Sequence, residues 1–549
     1  MIQSPPMNAN SRLHLTLASC AVAVSSGLLL LATSAAMPMG WDEGDTIARA
    51  EAIVAVANSQ GGDDGPGGLA GLEAAWPFTV GREGHPPLAG LLIVASDAIA
   101  PRGLDPLSRL RLGHMALFAV AAGAMFYRLV RDYRLWIVGI VAVAVLLTMP
   151  RMFAHAHFTT YDAPVTAGWV LAWAAFAPAC RDWRLTPVFG AALGLAFAAK
   201  FTGWLAPVPF LVWAIIYRDA RAWRALVVGV PLAVAVFVAL NPPLWSEPLA
   251  GLRTFLSLNL HRAEQPGLNI TTQFFGSRYN LGHPLPWYNT LVWTAITISP
   301  MALLLGGIGL VASVRRWRRD RVSLLVVLCW ATLIVVRALP WAPPHDGVRL
   351  FLPGFAFFAA LAGVGAGRAL YRESLFDQDK IVAQGWAKVA IALALVMSTF
   401  DAIAYFPHGL SYYNRLIGGL RGAAAVGMEA TYYWDSLDRE TLAWLREHTA
   451  DDEKVRFAWG PTANLALLKR WGLLERVESD PGSYRWYVVQ RRGGVYRPHD
   501  VWLIDHARPA YQRSLFGVPL LDVYSDDDYQ HAETNCERNG RESPGAERS

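Results

Sequence analysis

Eleven apolar stretches, set apart by polar loops, fill the first 405 residues and leave this chain few folds to choose from. They run at about 15–37, 108–130, 135–150, 162–179, 185–199, 202–218, 225–241, 290–312, 322–339, 348–369 and 386–405. Several approach the roughly 20 residues that cross about 30 Å of hydrocarbon as a helix. Composition agrees. The chain is 54% hydrophobic and only 17% charged, against about 25% charged in an ordinary soluble domain. These runs predict a polytopic α-helical membrane protein of about 11 spans. Residues 15–37 are long for a leader's apolar core of about 7–15 residues. The small residues of "ATSAAM" keep a cleavable leader as the alternative to an uncleaved first span.

Loop charge predicts orientation, because Arg and Lys collect on the cytoplasmic side. "YRLVRDYR" (127–134), "CRDWR" (180–184), "YRDARAWR" (217–224), "VRRWRRDR" (314–321) and "GRALYRE" (367–373) are short and Arg-dense. Loops 38–107, 151–161, 242–289 and 340–347, with everything beyond 405, then face outward. The net charge of +5 follows from these anchors and gives no signal for nucleic acid. Four cysteines show neither metal-ligand spacing nor a disulfide framework. Within the first outer loop, 88–100 is apolar but short and suits an interfacial helix. "GGDDGPGG" (61–68) reads as a flexible connector.

The chain changes character after residue 405. "DEKVRFAW" (452–459) and "YRWYVVQ" (484–490) read as strands. "DSLDRETLAWLREH" (435–448) reads as a helix capped by Ser436 or Asp435. The expected organisation is a membrane domain over 1–405, an extracytoplasmic α/β domain over 406–525 and a polar, disordered tail over 526–549.

Polar residues recur at helix ends on the outward side. Asp42, Glu43 and Asp45 follow the first span. His85 precedes Pro86-Pro87. "RMFAHAHFTTYDAP" (151–164) carries Arg151, His155, His157, Tyr161 and Asp162. Lys200 ends an apolar run, and "WAPPHDGVRLFLPG" (341–354) brings His345, Asp346 and Arg349. Each alone has an ordinary explanation. Acids outside a membrane are solvated, Asp42-Glu43 can cap a loop helix, and Lys200 and Arg349 can snorkel to the interface. His155 and His157 leave room for a divalent cation without establishing one, since a metal needs three or four ligands in defined geometry. Together, charged groups at membrane depth point to function. Cations beside acids suit an enzyme that grips a lipid phosphate and deprotonates an acceptor hydroxyl.

The acid pair after the first span resembles the GT-C superfamily of polyprenyl-phosphate-sugar-dependent glycosyltransferases. So do the "PPL" motif, the acid before the fourth span and the outer C-terminal domain. "HGLSYYNRLIGGLRGAAAVGMEATYYWDSL" (408–437) is similar to a segment of the protein O-mannosyltransferase and aminoarabinose transferase branch. The resemblance implies the GT-C fold, with Asp42 as general base, Glu43 as its acidic neighbour and Asp162 as the second catalytic acid. It implies donor-phosphate binding by Lys200 and Arg349. His85 stands where aminoarabinose transferases tend to have Lys. Arg151, His155, His157 and His345 complete the expected substrate-binding set. The implied partners are a polyprenyl-phosphate-linked sugar and a lipid, glycan or protein hydroxyl acceptor, with the site facing the periplasm or exterior of the plasma (inner) membrane. A multi-span transporter is the alternative.

Overall fold

A computed structural model describes residues 8–58, 71, 74–76, 78–81, 83–262, 270–371, 385–474 and 484–541. The connector at 61–68 and the last eight residues lie outside the described part. Every expected apolar stretch contains helix. In chain order these are α1 (Ala9–Ser34), α2 (Glu43–Asn58), α3 (Leu88–Ile99), α4 (Pro106–Tyr133), α5 (Trp136–Thr148), α6 (Pro150–His157), α7 (Asp162–Arg181), α8 (Thr186–Ala199), α9 (Pro207–Tyr217) and α10 (Ala220–Ala239). After α11 (Pro248–Leu260) and a hairpin of β1 (Thr272–Phe274) and β2 (Ser277–Tyr279) come α12 (Asn289–Thr297), α13 (Pro300–Arg315), α14 (Arg321–Arg337), α15 (Leu352–Leu370) and α16 (Gly385–Tyr405).

Among the described residues, six helices are long and apolar enough to cross a membrane, or seven if α5 and α6 count as one span bent by 74°. The difference from eleven has a local cause. Proline at the first turn restarts the chain at Pro150, Pro207 and Pro300, where its fixed φ and missing N–H favour a new helix over continuation. Several expected spans are therefore shorter helices.

The bundle is layered. For α15 with its lead-in turn, 94% of the most apolar window is buried inside the protein, against 22% for α1. Exposed Leu13, Leu17, Val24 and Leu28 on α1 are what a lipid-facing helix requires. Backbones touch where small residues meet: a Cβ at Gly309 would lie 1.9 Å from the Leu361 carbonyl oxygen. That close approach between α13 and α15 is the small-residue packing of membrane helices.

The chain then doubles back. Tyr412, Tyr413, Leu420 and Met428 join the bundle's own core. The appended domain follows, with α17 (Gly419–Ala425) leading to α18 (Arg439–Glu447), β3 (Val455–Phe457), α19 (Thr462–Arg470), β4 (Trp486–Gln490), α20 (Pro498–His506), β5 (Tyr511–Leu515), β6 (Val518–Ser525) and α21 (Asp526–Arg541). Its sheet has the order β3-β4-β6-β5. β3 and β4 are parallel and the other pairs antiparallel.

Two local expectations change. The cap of α18 is Asp438, which accepts from the Thr441 amide at 2.9 Å. Asp435 is taken by the Thr431 hydroxyl at 2.7 Å, so the helix starts three residues later. The stretch from 526 is a helix up to Arg541, because Tyr529 and Ala532 bury in one cluster with Tyr484, just before β4, and Tyr487 within it.

Candidate functional site

The ends of α1, α4, α7, α8, α14 and α15 meet at one end of the bundle, under the appended domain. At their centre is Arg349, in the turn that leads into α15. Its guanidinium bonds three carboxylates from three parts of the chain: Asp42 at 2.6 Å, Asp162 at 2.9 Å and Asp346 at 2.8 Å. The ring of Tyr433 lies 4.1 Å from its carbon. Lys200 donates to the other oxygen of Asp162 at 2.7 Å. Four residues expected from the sequence thus share one network: Asp42, Asp162, Lys200 and Arg349. Their exposure separates the acids. The Asp42 side chain is 26% exposed, whereas Asp162 is fully buried.

Glu43 plays a different part from its neighbour. It is enclosed with Arg111 of α4, which donates to both carboxylate oxygens at 2.9 and 2.6 Å. The amides of Gly40 and Thr159 donate to it as well, at 2.9 and 2.8 Å. With its lone pairs occupied in this way, Glu43 ties the acidic loop to α4 and presents no free oxygen to a substrate. Asp45 lies exposed on α2.

The histidines divide likewise. His157 bonds Thr33, the Leu30 carbonyl and the Phe153 carbonyl and joins α6 to α1. His155 bonds the Tyr432 hydroxyl at 3.0 Å. Arg151 sits among the rings of Trp293, Tyr413 and Tyr432 and donates to the Tyr412 carbonyl. These three are held by neighbouring rings, hydroxyls and carbonyls and form no hydrogen bond with Arg349 or its three carboxylates among the described residues. Among the described residues, no group of three or more His, Cys, Asp or Glu could hold a metal ion.

His85 and His345 lie close enough to Arg349 for its charge to act on both rings. His85 stacks on Tyr161, with ring centroids 4.5 Å apart, and its Nε2 lies 3.3 Å from Arg262. Burial, then Arg262, Arg49, Lys200 and Arg349, hold its pKa well below the ordinary value. Burial likewise pushes His345 down to about 4; Asp346 opposes this, and Arg262, Arg349 and Arg337 add to it. Arg262 and Arg349 therefore face both imidazoles, and both imidazoles are neutral at pH 7. Arg262 otherwise donates to the Glu83 carbonyl. The Nε of Arg337, at the end of α14, is buried without a hydrogen-bond partner. Cations without carboxylate ion pairs, close to neutral imidazoles, suit an anion.

Sequence reasoning missed Arg262, Arg337, Arg111 and Arg492. Arg492 follows β4, far from the membrane helices in sequence, yet donates to Asp346 at 2.8 Å. Burial would raise the Asp346 carboxyl, but Arg492 and Arg349 hold it below the ordinary range. Only the outward placement of the loop at 242–289 hinted at Arg262, and nothing local marks Arg492.

A helix bundle with a buried charge network where helix ends meet an appended domain is the architecture of a polytopic membrane protein. Residues 84–245 match the family described as dolichyl-phosphate-mannose-protein mannosyltransferase. No curated protein matches the sequence. Among solved structures it is similar to ArnT from Cupriavidus metallidurans bound to undecaprenyl phosphate, at 13% identity, 93% of this chain, 98% of that chain and a TM-score of 0.48. It is also similar to the oligosaccharyltransferase AglB from Archaeoglobus fulgidus with an inhibitory peptide and a dolichol-phosphate, at 13% identity, 87% of this chain, 69% of that chain and a TM-score of 0.49.

Proposed function

We propose that the chain moves a sugar from a polyprenyl-phosphate carrier to a hydroxyl acceptor on the outer face of the plasma membrane, with Asp42 as general base. The observation that carries this is the asymmetry around Arg349. Of the three carboxylates it bonds, Asp42 is the most open to solvent, at 26% exposure against 6% for Asp346 and none for Asp162. A base must reach the acceptor's proton, and Asp42 alone combines that access with a fixed orientation.

The donor phosphate belongs beside Arg262, Arg337, His85 and His345, near Lys200 and Arg349. A sugar–phosphate diester carries one negative charge, and its phosphate gains a second as the glycosidic bond breaks. Cations already in place stabilise that developing charge without reorganisation. In-line attack by the acceptor oxygen inverts the anomeric carbon, and the proton passes to Asp42. Asp162, held by Lys200 and Arg349, fixes the position of both cations. The lipid tail lies in the bilayer while its phosphate stays at the helix ends, which explains why the site sits there. The Arg-dense loops at the opposite end support the outward orientation.

The test is transfer by the purified chain in detergent from a radiolabelled polyprenyl-phosphate sugar to a hydroxyl acceptor. Labelled product with inverted configuration, lost in Arg349→Ala, is expected. No transfer from any lipid-phosphate sugar would end the proposal.

A further inference from the structure

The acidic loop at 40–44 is gripped from the appended domain. Asn464, in the first turn of α19, accepts from the Gly44 amide through Oδ1 at 2.6 Å and donates to the Gly40 carbonyl through Nδ2 at 2.8 Å. One side chain thus brackets Trp41, Asp42 and Glu43 from both ends, and it is 4% exposed. The approach is so close that a Cβ at Gly44 would lie 2.4 Å from the Asn464 amide nitrogen.

A second arm comes from Arg492. It bonds Asp346, and Asp346 bonds Arg349 through its other oxygen at 2.8 Å. Arg349 in turn holds Asp42. The guanidinium of Arg492 also lies 4.1 Å from the Trp434 ring, and Trp434 packs on Trp41 with centroids 3.9 Å apart. Two residues on this arm have left-handed backbone, Asp346 at φ 39° and Trp434 at φ 53°. Non-glycine residues hold that conformation at a cost, and they hold it where the surroundings over-determine it.

On the reading of Asp42 as base, we propose that Asn464 and Arg492 are positioning residues, and that the appended domain is a structural part of the catalytic centre. Asn464 sets the backbone of the Asp42 loop. Arg492 sets Asp346, and through it the direction from which Arg349 meets Asp42. Neither bonds His85, Arg262 or Arg337. Their loss therefore acts more on turnover, through the placement of Asp42, than on donor capture. A displacement of about 1 Å at a reacting group can cost about 100-fold in rate.

The experiment uses the full-length chain in detergent, with steady-state transfer measured for wild type, Asn464→Ala, Arg492→Ala and Arg492→Lys. Binding of polyprenyl phosphate is measured on the same samples and serves as the check on folding. Asn464→Ala and Arg492→Ala are expected to lower kcat by about 10- to 100-fold while donor KM and lipid-phosphate affinity stay within about 3-fold. Arg492→Lys, which keeps a charge for Asp346, is expected to recover part of kcat. An unchanged kcat in either alanine variant would overturn the assignment. So would an equal loss of kcat and lipid-phosphate affinity in the milder Arg492→Lys, which would mean general collapse. If wild type itself transfers no sugar, the proposed function fails; if wild type transfers and the variants match it, the positioning role alone fails.

Discussion

Arg111 Nη2 lies 2.6 Å from Glu43 Oε2, and neither side chain has any exposed surface. An enclosed pair of this kind resists the loss of one partner, because the other charge is left buried and unpaired. Glu43→Gln should therefore destabilise the protein by about 3–5 kcal/mol, read as a lower unfolding temperature in detergent. The folded fraction should keep more activity than any Asp42 variant. Loss of turnover at unchanged stability would return Glu43 to the chemistry.

Arg349 bonds three carboxylates through three nitrogens. Lysine keeps the charge but not the fork, so Arg349→Lys is not conservative at this position. It should lower kcat/KM by about 100-fold, equivalent to about 2.7 kcal/mol of transition-state stabilisation. Steady-state transfer assays with saturating acceptor measure it.

Arg262 faces the two neutral imidazoles and makes no ion pair among the described residues, bonding only the Glu83 carbonyl and His85. Arg262→Ala should weaken binding of polyprenyl phosphate by about 10-fold or more, since a hydrogen bond to a charged group contributes about 1.5–3 kcal/mol. Equilibrium binding of the lipid phosphate reads this directly. Affinity equal to wild type would move the phosphate away from Arg262.

Burial pushes the Glu429 carboxyl up to about 7 from 4.5, with Arg492 pulling the other way. Between those values the folded chain holds a proton that the unfolded chain has released. Stability should therefore fall as pH rises through that window, by about 1.4 kcal/mol per pH unit at most, and level off above it. Glu429→Gln removes the titration. The difference in unfolding free energy between the variant and wild type, followed from pH 4.5 to 8, should change across that window and be flat above it.

What the sequence revealed followed from short-range patterns. Apolar runs marked the helices, and charges at helix ends marked Asp42, Asp162, Lys200 and Arg349, which the structure joins in one network. Partners distant in sequence stayed hidden. Glu43 looks like Asp42 until Arg111 claims it, and no local pattern links Asn464 to Gly44 or Arg492 to Asp346. His155 and His157 left room for a cation, yet a step of two positions along a buried helix turns them to different sides, toward Tyr432 and Thr33. Runs read as single spans broke where a first-turn proline restarts a helix, because hydropathy is blind to a bend.

The measurement that bears most directly on the assignment of the base is the turnover of Asp42→Asn in the purified full-length chain, at saturating polyprenyl-phosphate sugar and acceptor. Asparagine keeps the shape and can still contact Arg349, but it cannot take the acceptor's proton. A fall in kcat of about 100- to 10,000-fold, with lipid-phosphate affinity within about 3-fold of wild type, is the expected result. Turnover close to wild type would contradict the role of Asp42 as base.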